Sequence, residues 1–267
     1  MLNKTQLLPD RPGIPPMAPM PEPEVVDPVA LAAAYRQGEI DLICVLGPTA
    51  SGKTRYAVQL AREMGNAHIL SADSRQVYVG MDIGTGKDLG EYGEVPYHLI
   101  DLVPAGAKYN IYQYQKAFAD AYAAVRAAGA IPILCGGSGL YIEAVTRAYK
   151  FEKENGLPAS ALPQRVYYIG TLVSREERVA RIDRRLEERL QEGLVEEVRG
   201  LLETISPQDL IYYGLEYKFV TQYIQEEISY EDMVIALGNA IHQFAKRQMT
   251  WFRGMERDGI RIHWVRP

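Results

Sequence analysis

The stretch Gly47-Pro48-Thr49-Ala50-Ser51-Gly52-Lys53-Thr54 constrains the fold of this chain more than any other run of its length. It carries every fixed position of a phosphate-binding loop, in which backbone N–H groups cradle a polyphosphate, a lysine reaches the outer oxygens and a threonine hydroxyl can hold Mg²⁺. Such a loop needs a strand running into it and a helix leaving it, so that the helix N-terminus adds partial positive charge to the anion site. The apolar run over residues 40–46 supplies the strand. A helical pattern over 53–64, with Tyr56, Leu60 and Met64 on one face, supplies the helix. Gly47, Thr49, Ala50, Ser51, Gly52, Lys53 and Thr54 are the expected polyphosphate ligands, and Thr54 the expected metal contact.

The rest of the chain alternates in the same way. A short apolar strand over 68–72 ends in Asp73-Ser74-Arg75, and a brief extended piece follows over 97–102. A helix over 111–128 turns Tyr114, Phe118, Ala121, Tyr122 and Val125 inward, and a third apolar strand over 131–134 runs into Cys135-Gly136-Gly137-Ser138-Gly139 with a helix from Leu140. Another strand is expected over 166–172, then helices over 175–191, 194–202, 207–225 and 230–257; Gly193 separates the first two, and Ser229 with Asp232 resembles a capping box. This order predicts an α/β fold of the P-loop NTPase-like, three-layer kind, with a mostly parallel sheet of about five strands and a helical C-terminal portion on the same core. In such sheets ligands lie beyond the C-terminal strand ends, which puts Asp73 beside the phosphate loop. The third strand ends in glycines where many nucleotide hydrolases carry an acidic Mg²⁺ partner, and that counts against a hydrolase reading.

Residues 1–28 read as a proline-rich arm, extended and with little to pack, and residues 29–267 as one domain that opens with a helix over 29–37. The loop-rich interval 76–108 is long enough to be functional, and 150–163 is a polar connector. A net charge of −5 argues against a protein that coats nucleic acid by overall charge but leaves room for a local basic face. Cys44 and Cys135 sit in apolar runs, so a disulfide or metal role is not expected for either. No run of about 18 apolar residues is present, nor the charged-then-apolar order of a secretory signal. A soluble, cytoplasmic protein is expected, with no membrane partner.

Six motifs in a fixed order resemble those of the tRNA dimethylallyltransferases, also called isopentenyltransferases. They are the phosphate loop; Ser71-Ala72-Asp73-Ser74-Arg75-Gln76-Val77-Tyr78; Gly80-Met81-Asp82-Ile83-Gly84-Thr85; Val95-Pro96-Tyr97-His98-Leu99-Ile100-Asp101; Gly136-Gly137-Ser138-Gly139-Leu140-Tyr141; and Lys246-Arg247-Gln248-Met249-Thr250-Trp251-Phe252-Arg253. The resemblance covers residues 41–148 and 166–264. It implies transfer of a prenyl group from dimethylallyl diphosphate to the N6 amine of an adenosine next to the anticodon of tRNA, with Mg²⁺ as cofactor. Asp73 would then be the base at the amine. Lys53 and Thr54 would hold and neutralise the diphosphate. Ser138, where the family usually has threonine, would touch substrate or leaving group. Arg181 or Arg185 would reach the diphosphate, although both could equally be helix-surface charges paired with Glu177 or Glu188.

Ser74, Arg75 and Gln76 match a stretch that contacts nucleic acid near the target base. Lys246, Arg247, Gln248 and Arg253 share a helix with Trp251 and Phe252, which suits phosphate and base contacts, while the residues by themselves favour Trp251 in the core. His98 reads as support for its loop. The chain departs from the family in two places: a long helical insertion that grips the tRNA is reduced to residues 150–163, and Tyr213-Gly214-Leu215-Glu216-Tyr217-Lys218 is altered around a glycine motif. Two other readings therefore stand beside tRNA prenylation. One is prenyl transfer to a free adenine nucleotide, and the other is a small-molecule kinase using ATP at the same loop.

Overall fold

The computed structural model describes residues 21–147 and 157–267; residues 1–20 of the arm, and 148–156, which include the first part of the connector, lie outside the described residues. The apolar run before the phosphate loop is β1 (Leu42–Leu46), buried along its whole length. A strand covered on both faces must be apolar throughout. Leu42, Cys44 and Leu46 pack into one layer while Ile43 and Val45 pack into the other. The remaining strands are β2 (Ala67–Ser71), β3 (Tyr78–Val79), β4 (Tyr97–His98), β5 (Val103–Pro104), β6 (Ile131–Gly136), β7 (Val166–Thr171) and β8 (Ile262–Val265). Six of them form one sheet in the order β4-β2-β6-β1-β7-β8, every neighbouring pair parallel, and β3 pairs with β5 apart from it.

The sheet therefore has one strand more than expected. Ile262-His263-Trp264-Val265 is too short to announce itself by alternation, and it is a strand because Tyr168 to Thr171 offer it an open edge. Helices α1 (Pro28–Arg36) and α2 (Lys53–Met64) cover one face, where Leu31, Val58, Leu60 and Met64 meet Ile69 and Ile133. The other face carries α3 (Ile111–Ala127), α4 (Gly139–Thr146) and the C-terminal helices α5 (Arg175–Glu192), α6 (Leu194–Leu201), α7 (Pro207–Tyr212), α8 (Leu215–Ile224) and α9 (Tyr230–Arg257). Tyr114, Phe118, Leu134, Leu237 and Phe252 share that core. The arm is anchored where it meets the domain, with Glu24 N donating to Trp264 O at 2.6 Å and Glu24 Oε2 2.7 Å from His263 Nδ1.

Two local expectations are corrected. The single helix over 207–225 is two, α7 and α8, because Gly214 and Leu215 take φ of +73° and +41°. The break lets the Tyr213 hydroxyl accept from Gly106 N at 2.8 Å while Tyr217 remains fully buried. At the start of α9 the Ser229 hydroxyl accepts from Asp232 N at 3.1 Å, but the return bond runs from that hydroxyl to Asp232 Oδ2 at 2.9 Å rather than from the Ser229 backbone.

The interval 76–108 has almost no regular structure, yet one buried and one partly buried charge hold it. Lys87 is 2% exposed, and its Nζ donates to Tyr78 O at 2.7 Å, to Asp82 Oδ1 at 2.6 Å and to Asp101 Oδ1. From the opposite side Glu197 of α6 accepts from Asp82 N (2.9 Å) and Ile83 N (2.7 Å) through Oε2, and from Gly84 N (3.0 Å) and the Tyr217 hydroxyl (2.8 Å) through Oε1. Backbone polar groups that no ladder pairs are thus satisfied by side chains. Lys87→Ala strips three acceptors of their donor and is expected to cost about 1–3 kcal/mol of stability. Urea unfolding checks this: the midpoint should fall at unchanged slope, and a parental midpoint would show that the loop stands without Lys87.

Candidate active site

The site is built where the ends of β1, β2 and β6 come together. A Cβ on Gly136 would lie 2.1 Å from Ala72 O, so the ends of β6 and β2 approach this closely only with glycine there. The glycines that replace an acidic residue at this strand end are thus a packing requirement. Gly47 is equally constrained, since a Cβ would meet Thr171 Oγ1 at 2.1 Å, and Ser51 Oγ lies 2.7 Å from the same hydroxyl. Ala50 and Gly52 take φ of +59° and +82°, closing the loop onto α2.

Lys53, Thr54, Asp73, Arg75 and Arg185 line one cleft of about 840 Å³, part of it open to solvent, with Ile83, Ile182, Leu186 and Ile241 as apolar wall. A second cavity opens on the other side of the loop past Arg55, Tyr56 and Arg181, and the two share Ala50, Lys53, Thr54, Arg185 and Arg189. Lys53 is therefore approachable from two directions. Burial holds its ammonium below the ordinary lysine value; Cys135 and Asp73 push it back up, while Arg185 and Arg75 add to the lowering. Cys135, expected only as a buried strand residue, lines the cleft as a neutral thiol. Burial pushes its pKa up to about 12, against the opposing pull of Lys53 and a hydrogen bond with Thr54.

The sequence-predicted residues divide by what they touch. Asp73 Oδ1 accepts from Arg75 N at 3.0 Å, and its second oxygen has no hydrogen-bond partner among the described residues. The Arg75 guanidinium pairs with Glu216 and lies 5.6 Å over the Phe244 ring. Burial opposes that charge, but Glu216 and Asp73 more than offset it and its pKa is raised. Ser74 and Ser138 are bound to each other, through Ser74 N to Ser138 Oγ at 3.0 Å, and tie the two strand ends together. Gln76 is held by Ser71 Oγ (3.0 Å) and Gly86 O (3.1 Å), so its amide supports the wall of the cleft.

Gln248, expected as a nucleic-acid contact, is buried. It accepts from Thr49 N at 2.8 Å and donates to Gly137 O at 3.0 Å, a strut from α9 to the phosphate loop. Arg253 lies 5.7 Å over the Trp264 ring and 3.6 Å from Glu256, away from an open basic face, whereas Lys246 and Arg247 are exposed. Trp251 leaves the core position favoured for it: it is 40% exposed, its Nε1 donating to Glu143 Oε2 at 2.8 Å, while Phe252 is fully buried. His98 stacks on His68 with Nε2 3.0 Å from its Nδ1, a support as expected. Arg181 pairs with Glu177 at 2.6 Å and also lines the outer cavity. Arg185 pairs with Asp88, which sequence reasoning did not single out, and Arg189 one turn on was missed with it.

The family model described as IPP transferase matches residues 76–162 and 150–255, and that described as isopentenyl transferase matches residues 40–95. The chain belongs to the IPP transferase family. It is 45% identical to tRNA dimethylallyltransferase 2 of Bacteroides fragilis, with 85% of this chain and 93% of that protein covered. It is 46% identical to tRNA dimethylallyltransferase 1 of Parabacteroides distasonis, over 84% of this chain and 92% of that protein. The crystal structure of the full-length tRNA isopentenylpyrophosphate transferase of Bacillus halodurans superposes with a TM-score of 0.75 at 27% identity, over 85% of this chain and 89% of that one. These likenesses bear out the family resemblance and the P-loop NTPase-like α/β fold.

They also bear on the reduced insertion. The match to the IPP transferase model comes in two pieces that meet over residues 150–162. The alignment with the B. fragilis protein spans 285 positions, yet 85% of 267 residues is about 227, so about 58 positions of the relative face no residue here.

A partly buried lysine with a depressed pKa binds an anion best while protonated. Affinity for inorganic pyrophosphate should be full at neutral pH and fall as pH rises through the lowered Lys53 pKa; Lys53→Arg should move the fall to higher pH. Calorimetric titration across pH checks this, and affinity that stays flat up to the ordinary value of 10.5 would remove Lys53 from the anion site.

Proposed function

We propose that this chain is a tRNA dimethylallyltransferase, moving the dimethylallyl group of dimethylallyl diphosphate to the N6 amine of an adenosine next to the anticodon and releasing diphosphate. The single observation that carries the reading is the cleft in which Asp73, with an unpartnered carboxylate oxygen, lies with Lys53 and Thr54 and an apolar wall. The phosphate loop and Lys53 bind the diphosphate, and Lys53 with Arg185 neutralises the charge that develops as the C–O bond breaks. As the new C–N bond forms, Asp73 takes the proton that the amine must lose. Ile83, Ile182, Leu186 and Ile241 shelter the five-carbon chain and exclude water from it.

The donor set at the loop suits Mg²⁺. Among the described residues no cluster of three His, Cys, Asp or Glu is present, and Thr54 offers a hydroxyl. Mg²⁺ accepts such a site by completing its octahedron from substrate phosphate oxygens and water. When bound it would neutralise diphosphate charge. Exposed Lys246 and Arg247 and half-exposed Trp251 on α9 offer the tRNA cations and a flat ring. Residues 29–267 act as one catalytic domain preceded by the arm. No helix among the described residues is long and apolar enough to cross a membrane, and the cytoplasm is where unmodified tRNA would be met. The missing stretch of about 58 positions favours a second acceptor, a free adenine nucleotide, as the alternative.

Labelled dimethylallyl diphosphate with Mg²⁺ and either unmodified tRNA or AMP, ADP and ATP decides between them. Label in tRNA alone is expected; label in a nucleotide supports the alternative, and ATP consumption without prenyl transfer overturns both. Asp73→Asn should lower kcat by about 10²- to 10⁴-fold and leave pyrophosphate affinity within about twofold. An equal loss of both would mean that Asp73 binds the leaving group instead of serving the amine.

A further inference from the structure

We propose that Asp88 is a positioning residue of the leaving-group site, holding Arg185 and Arg189 as one fork over the phosphate loop. The inference rests on the diphosphate reading of that loop. Arg185 and Arg189 lie four residues apart on α5, where two like charges repel. Asp88 resolves this by giving each guanidinium one carboxylate oxygen: Oδ2 is 2.7 Å from Arg185 Nη2, and Oδ1 pairs with Arg189 Nη2. Gly86 O adds a contact to Arg185 at 3.4 Å, and Glu192 one to Arg189 at 3.2 Å.

The anchor follows directly on a buried, fully paired residue. Asp88 sits at φ +45°, ψ +47°, a left-handed conformation that Asp tolerates better than most side chains, between the buried Lys87 and the 3₁₀ turn Leu89–Glu91. Its side chain is 29% exposed and that of Arg189 13%, so the pairing is partly dry and screened less than a surface pair. Both arginines line both cavities that meet at Lys53, and Arg185 is close enough to Lys53 to depress its pKa. A guanidinium has five N–H donors, and Asp88 engages only one from each. Gly86 O and Glu192 each take one further contact, and the donors left over are available to an anion on the loop; Asp88, which lines the outer cavity, can hold the fork from that side while both arginines also line the inner cleft. Preorganised charge of this kind stabilises a leaving group without reorganisation at the moment of reaction.

The test is calorimetric titration of the full chain with inorganic pyrophosphate, which needs no acceptor, together with steady-state kinetics in donor and tRNA. Asp88→Ala should weaken pyrophosphate about tenfold and raise the donor KM while the tRNA KM stays put. Asp88→Asn, which keeps the size and one acceptor, should lose less, and its unchanged melting temperature would show that the fold is intact. In an Arg185→Lys, Arg189→Leu background, Asp88→Ala should add less than about twofold, because the groups through which it acts are gone. The same tenfold loss in that background would make its role merely structural, and tighter pyrophosphate binding would make Asp88 a competitor of the ligand; either overturns the proposal. Wild-type protein that binds pyrophosphate and labels no acceptor would overturn the transferase reading and leave the fork standing.

Discussion

Ala72 and Gly136 meet where β2 and β6 end, with Ser138 N 3.2 Å from Ala72 O, and Asp73 can share a cleft with the phosphate loop only because they meet so closely. β6 lies between β1 and β2, so any widening at its end would carry Asp73 away from Lys53. A methyl group at 136 would do this, since the obstructing atom is backbone and has nowhere to go. The same economy of space recurs at Gly47 against Thr171 and at Gly137 against Gln248. The pocket is therefore set by backbone-to-backbone and backbone-to-strut distances, and the reactive side chains inherit their positions from these.

Around that frame the wall of the cleft is held by charges wholly or partly taken out of water. A buried charge must be fully satisfied or it destabilises the fold, so each one dictates its neighbours closely. Lys87 binds three oxygens from separate parts of one loop, and Glu197 gathers three successive backbone N–H groups and a tyrosine hydroxyl. Arg75 with Glu216 and Arg185 with Asp88 continue the pattern at the rim. The result is a cleft in which Arg75, Arg185 and Arg189 are already paired with carboxylates, and Lys53 lies beside them. Four cations in one partly apolar cavity suit an anion, which is what the proposed reaction asks of the site that receives its leaving group.

The two halves of the reaction are unequally represented. In the proposed reading the loop, Lys53 and the arginines form the donor side, with Asp73 placed to serve the acceptor amine. About 58 positions of the B. fragilis relative face no residue here, and in the proposed reading α9 would serve the acceptor with the exposed pair Lys246 and Arg247 and the half-exposed Trp251, while its Gln248 is a direct strut to the phosphate loop. One helix thus touches the loop at Thr49 and presents cations to solvent within the same two turns.

The phosphate loop, β1 and α2, the nearness of Asp73 to Lys53, and the membership of the family were all legible in residue order, because strand–loop–helix patterns and motif spacing are local and the parallel sheet leaves few other arrangements. Longer-range facts were not. β8 exists only because β7 has an edge to offer, and Gly214 breaks a helix whose pattern runs on through it. Gln248 looked like a surface contact and is a strut; Arg253 looked like part of a basic face and lies over Trp264; Trp251 looked like core and stands half in solvent. Side-chain partners of this kind join residues as far apart as Asp88 and Arg189, or Asp82 and Glu197, and no local pattern encodes them. Sequence alone thus determined which chemistry the loop could serve. Tertiary structure decided which charges surround it, because satisfying a buried charge is a matter of distance in space and not of spacing along the chain.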